Sequence, residues 1–235
     1  MKKLAAFVEG QTEQIFVQKL LEEASGKKRI AIESQQAFGG QSGNRVFRII
    51  QAAAIESKQQ FYAQIVDCRS DTRVKSDVVE NYAGLVASGF ETIFAIRDVY
   101  PKFIPKDISN LRGGLRYGVK SKPVTVQFIL GIMEIETWFI SEHTHFQKLD
   151  TRLTPDFIKK QLGFDPSVDD IQLRSHPAED LDNIYGLVGL SYKKNRSQVQ
   201  HVVNLLDYER LYLELPSRIP DLKVLIDTID QFLSE

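Results

Sequence analysis

The sequence predicts an α/β protein, a mostly parallel sheet flanked by helices, with a helical subdomain at its C-terminal end. Short apolar runs alternate with amphipathic stretches, as strand-helix-strand crossovers require. Acids recur where those runs end, and beyond residue 142 the composition shifts to helix. The expected division is an α/β domain over residues 1–142 and a helical subdomain over 143–235 packed on it.

In chain order, residues 3–8 read as a buried strand, and 12–23 as a helix with Ile15, Phe16, Leu20 and Leu21 at helical spacing. Residues 29–37 alternate as a second strand, and the Gly-rich stretch 39–44 reads as a flexible loop. Residues 46–56, rich in Ala and Ile, read as a helix, and 61–66 as a strand ending on Asp67 and Cys68. Ser76-Asp77 reads as the N-cap of a helix that reaches Ser88 and stops at Gly89. The strand 92–96 ends on Arg97-Asp98, and a polar connection containing Gly113-Gly114 leads to the strand 124–133. Apolar stripes then predict helices over 155–162, 178–187, 197–206 and 222–233.

At 235 residues, 43% hydrophobic and 26% charged, the chain has the composition of a globular protein with a sizeable core. Cys68 is the one cysteine, which excludes an intrachain disulfide and a cysteine zinc cluster and leads us to expect a reducing, cytoplasmic setting. The apolar start is cut short by Glu9, so neither a signal peptide nor a membrane span is expected; the run 124–133 is also too short to span a bilayer. A net charge of -1 argues against a wholly basic surface but leaves room for local basic clusters.

The candidate site is built from the acids at strand ends: Glu9, Asp98, Glu134 and Glu136. If the strands are parallel neighbours these carboxylates converge, and crowded carboxylates demand a cation. A hard divalent ion such as magnesium suits oxygen donors, and it can activate water for phosphodiester cleavage. Glu134 and Glu136 share a face if the backbone is extended and point roughly 200° apart if it is helical. Each acid also has an ordinary role open to it. Glu134 or Glu136 could favour a helix N-terminus, Asp98 could pair with Arg97 or cap the turn before Pro101, and Glu9 could be solvated beside a Gly10 kept for its backbone freedom.

Basic candidates for a nucleic-acid partner are Lys75, His176, Lys193 and Lys194. Lys75 reads as opening a helix, where free N–H groups help hold a phosphate. His176 precedes a helix and could act as a general acid or a nucleic-acid contact. Lys193 and Lys194 follow Tyr192 in a short cluster suited to a phosphate backbone. The lysines also read as solvated surface, His176 as a local cap or surface residue, and Trp138 with Phe139 and Ile140 reads as core.

Phe7-Val8-Glu9-Gly10-Gln11-Thr12-Glu13 resembles the first motif of Toprim domains. Ile96-Arg97-Asp98-Val99-Tyr100-Pro101, Ile132-Met133-Glu134-Ile135-Glu136-Thr137-Trp138-Phe139, His176-Pro177-Ala178-Glu179-Asp180-Leu181 and Tyr192-Lys193-Lys194 resemble, in that order, an uncharacterised bacterial family of the Toprim-like superfamily. The resemblance covers most of the chain. It implies an acidic site for Mg2+ (or Mn2+), with Glu9 as the Toprim glutamate and Asp98 as the first aspartate of an Asp-x-Asp motif. Tyr100 stands where the second aspartate would be, so Glu134 or Glu136 replaces it or metal binding is weakened. The activity implied by this resemblance is that of a nuclease similar to the OLD-type enzymes of phage defence. The alternative is a non-catalytic component that binds nucleic acid or a partner beside an ATPase.

Overall fold

The computed structural model of the protein describes residues 1–40, 45–56 and 59–234. Its strands are β1 (Lys2–Val8), β2 (Ile30–Phe38), β3 (Val46–Gln51), β4 (Phe61–Asp67), β5 (Thr92–Asp98) and β6 (Val126–Gly131). Its helices are α1 (Gln11–Ser25), α2 (Asp71–Ala87), α3 (Ile108–Arg116), α4 (Glu136–Ser141), α5 (Thr144–Leu149), α6 (Pro155–Leu162), α7 (Pro177–Gly186), α8 (Arg196–Leu205), α9 (Tyr208–Leu213) and α10 (Pro220–Leu233). The strands form one sheet in the order β3-β2-β4-β1-β5-β6. The chain folds as two compact units, the first Met1–Arg97, Ser109–Ile129 and Val224–Glu235, the second Asp98–Ile108 and Leu130–Lys223.

In the first unit β1 is central and buried from Leu4 to Val8, which is why it reads as an unbroken apolar run. It pairs in parallel with β4, Val8 opposite Asp67, and with β5, Val8 opposite Ile96. β2 is parallel to β4 and antiparallel to β3. The fold class is thus the mostly parallel α/β sheet expected. Ala5 and Phe7 pack with Val74, Val78, Tyr82 and Leu85 of α2, while α1 packs on β2 and β4. The crossovers β1→β2 and β4→β5 run in opposite directions across the sheet, so right-handed connections put α1 and α2 on opposite faces. The strand order therefore reverses between β1 and β4, the place where open α/β sheets take their ligands. At the other end of the chain, Phe232 meets Phe61 edge-on at 5.3 Å.

Four expectations are corrected. Residues 46–56 are not a helix: β3 hydrogen-bonds to β2, and the β-branched Val46, Ile49 and Ile50 go to an exposed edge strand although the Ala-rich stretch beside them favours helix locally. The helix expected from residue 78 begins at Asp71, and Asp77 is no cap, because inside α2 its buried carboxylate takes the Arg45 guanidinium at 2.5 and 2.6 Å. Gly113-Gly114 sit within α3, held by the buried Leu111 and Leu115, rather than in a connection. The last strand stops at Gly131, two residues before a left-handed Met133 with φ of 62°. Of the expected loop 39–44, Gly39 and Gly40 have positive φ, and residues 41–44 lie outside the described residues.

The second unit is mainly helical. Trp138, Phe139 and Ile140 are fully buried, as expected. α6 spans the residues predicted for it because its signals are local: the Thr154 hydroxyl accepts from the Phe157 N–H, Pro155 opens the helix and Gly163 closes it in the left-handed conformation. Among the described residues no helix is long and apolar enough to cross a membrane.

Candidate functional site

In the second unit the chain turns after β6 through the left-handed Met133, passes Glu134 and Ile135, and enters α4 at Glu136. That turn brings both glutamates to one cation. The Lys194 Nζ lies 3.0 Å from Glu134 Oε1 and 3.1 Å from Glu136 Oε2. Lys194 itself has a φ of 52°. A left-handed non-glycine residue costs about 1–2 kcal/mol, so two of them flanking one ion cluster are held there by the surrounding structure.

The remaining carboxylate oxygens are also engaged. Glu134 Oε2 accepts the Ala178 N–H at 2.9 Å, in the first turn of α7, and Glu136 Oε1 accepts the Tyr192 hydroxyl at 2.8 Å. Asp98, buried at the end of β5, packs against Gly131, where an added Cβ would overlap Asp98 Oδ1. Residues far apart in sequence, 98, 131–136, 178 and 192–194, thus converge within one unit.

Burial pushes the Glu136 carboxyl above the ordinary range, Glu134 adds to the effect, and Lys194 with the Tyr192 hydroxyl opposes it. Burial alone would lower the Lys194 ammonium, but the carboxylates of Glu136, Glu134 and Asp98 outweigh it and hold the ammonium above its usual value. The Lys194 ammonium thus stands among three acids, with two of them at ion-pair distance.

In the first unit Glu9 is half-buried one residue beyond β1, where the Val8 carbonyl accepts the Cys68 N–H at 2.8 Å. Gly10 does not use the freedom of a glycine, since its φ is -158° and a Cβ would come no nearer than 3.5 Å to Glu13 Oε2. Its N–H instead donates to that same oxygen at 2.9 Å, closing the start of α1. Arg97 pairs with Asp71 at 3.0 Å.

The basic candidates fall in different places. Lys75 lies a turn inside α2 rather than at its N-terminus, because the helix starts earlier than its polar opening suggests; its Nζ donates to the Gly114 carbonyl at 2.7 Å. Lys193 forms an ion pair with Asp182, and Lys194 serves the glutamates. His176 is the exposed N-cap of α7, and its ring meets Tyr100 edge-on at 5.2 Å. The sequence reading missed the hydrogen-bonding role of Tyr192, since an aromatic beside two lysines does not reveal a buried carboxylate 56 positions away.

Among the described residues, no group of three or more His, Cys, Asp or Glu side chains is arranged to hold a metal ion. Compared with known proteins, the chain matches no family model, no curated protein and no solved structure.

Proposed function

We propose that the protein is a magnesium-dependent, Toprim-like phosphodiesterase: a nuclease acting on nucleic acid, of the kind used in phage defence. What supports this reading is the single ammonium held among Glu134, Glu136 and Asp98. An all-oxygen donor set of two glutamates and an aspartate matches the chemistry of a hard divalent ion, Mg2+ or Mn2+. Such an ion, when bound, lowers the pKa of water and offsets charge on the phosphoryl group. The chain's own residues do the rest. Tyr192 and the Ala178 N–H keep Glu136 and Glu134 oriented, and Lys194, drawn off the acids by a substrate phosphate, neutralises a phosphoryl oxygen. Glu9, one residue beyond β1, is proposed as a further acid that the activity requires.

The test is cleavage of a labelled oligonucleotide in Mg2+ and in EDTA. Glu9→Gln and Glu134→Gln are each expected to lower the rate at least about 100-fold, as for removal of a group acting in the transition state, with an unchanged circular dichroism spectrum. Wild-type rates in both variants would reject the reading.

Two observations favour a second reading. Lys194 already supplies a counter-ion, and Tyr100 stands in place of an aspartate. A non-catalytic component that binds nucleic acid or a partner, working beside an ATPase, would hold oligonucleotide without cleaving it in Mg2+ or Mn2+. It would also give no heat of magnesium binding in calorimetry.

A further inference from the structure

We infer that the first unit carries a phosphoryl-binding site of its own, built from arginines rather than acids. A groove of about 540 Å³ opens at the carboxyl ends of β2 and β4, beside the first turn of α2. Its walls include Phe38, Gly40, Arg45, Arg69, Ser70 and Arg73.

The three arginines are not equivalent. Arg45 is spent on structure: its guanidinium grips the buried Asp77 through two nitrogens and donates to the Cys68 carbonyl at 2.6 Å. Arg69 and Arg73 have no carboxylate partner among the described residues. The nearby acids are committed elsewhere, Asp71 to Arg97 and Asp67 to Gln36 at 2.8 Å.

The backbone is shaped to hold these two side chains. Arg69 is left-handed, with a φ of 58°, and its N–H donates to Asp67 Oδ1 at 2.7 Å, which fixes the turn. Its guanidinium then lies 5.4 Å from the centre of the Phe38 ring. Gly40 has a φ of 106°, and a Cβ there would come within 2.9 Å of Arg73 Nη2, so the glycine leaves the space the guanidinium occupies. The start of the 17-residue α2 adds a favourable end for an anion.

Two uncompensated guanidinium groups in a groove suit a phosphoryl group, which planar forks bind through paired hydrogen bonds. The Phe38 ring, with Arg48 at 5.0 Å and Arg69 at 5.4 Å from its centre, steadies the Arg69 guanidinium at the groove. The phosphate can belong to a nucleic-acid strand or to a free nucleotide. This site does not depend on the acids of the second unit and needs no metal.

Binding is therefore measured in EDTA, with three probes: a single-stranded oligonucleotide, ATP and inorganic phosphate. Wild-type protein is expected to bind at least one of them. The double variant Arg69→Ala/Arg73→Ala should lose tenfold or more in affinity, while Lys27→Ala, an exposed control, should not. For the oligonucleotide, the salt dependence of log K should shrink by about 0.7 per phosphate contact removed. Preference for the oligonucleotide identifies a strand as the source; preference for ATP or phosphate identifies a free phosphate ester. Equal affinity in the double variant, or no binding of any probe by wild type, overturns the site. Should the double variant fail to fold, protection of Arg69 and Arg73 in the wild-type protein from phenylglyoxal by the bound probe, read by peptide mass spectrometry, decides the matter; no protection overturns it.

Discussion

Each unit pairs a cation with a buried carboxylate, and the two do it differently. In the first, Arg45 meets Asp77 one to one, with guanidinium fork on carboxylate fork and the acid fully buried. In the second, the single Lys194 ammonium is shared between Glu134 and Glu136 with Asp98 near by, and the lysine is partly exposed. A balanced, bidentate pair leaves nothing for a ligand to do and holds β4 and α2 in place. A partly exposed lysine shared between two acids keeps its cluster within reach of a ligand. Burial of ions is thus not itself the mark of a site; the reach of a ligand to the cluster is.

Breaking the balanced pair should cost most. Arg45→Met leaves Asp77 buried with its charge unanswered, and about 3–5 kcal/mol of unfolding free energy should be lost in denaturant titration at neutral pH. Lys194→Met acts at a partly exposed ion, so the expected loss falls to about 3 kcal/mol.

This second effect should also depend on pH. Glu136 has a raised folded pKa, so the folded state binds the extra proton and stability falls as pH rises from the ordinary carboxylate range through that raised value. Removing Lys194 takes away a group that holds this pKa down, so in the variant the fall should extend to higher pH. Melting temperatures at pH 5 and pH 8 should accordingly differ more in Lys194→Met than in wild type. Equal differences would mean that the lysine does not govern Glu136.

Smaller changes sharpen the same contrast. Gly131→Ala forces a methyl against Asp98 and sets it 3.1 Å from the Ile135 nitrogen, with an expected cost of about 1–3 kcal/mol by chemical denaturation. Tyr192→Phe removes a hydroxyl that Glu136 Oε1 accepts; about 1–2 kcal/mol should be lost, and the loss should shrink as pH falls and the acid takes up a proton.

Much of the fold was legible because its signals are local. β1 is an unbroken apolar run, and α6 carries cap, proline and closing glycine within ten positions. The stretch 46–56 was misread because ladder bonds to β2 outweighed a local composition that favours helix. The start of α2 was misread because Asp77, which looks like a cap, is a buried partner for an arginine 32 positions earlier. The acids were found by their positions after apolar runs, whereas the cation that answers two of them was read as a nucleic-acid contact or a solvated lysine.

The order of apolar and polar residues alone determined the α/β class, the burial of β1 and the presence of acids at strand ends, because periodicity and punctuation act over a few residues. Only the tertiary structure decided that Lys194, Tyr192 and the start of α7 close on Glu134 and Glu136, and that Arg69 and Arg73 have no acid partner among the described residues. Charge pairing is settled by which groups lose water together, and that depends on contacts between positions tens of residues apart.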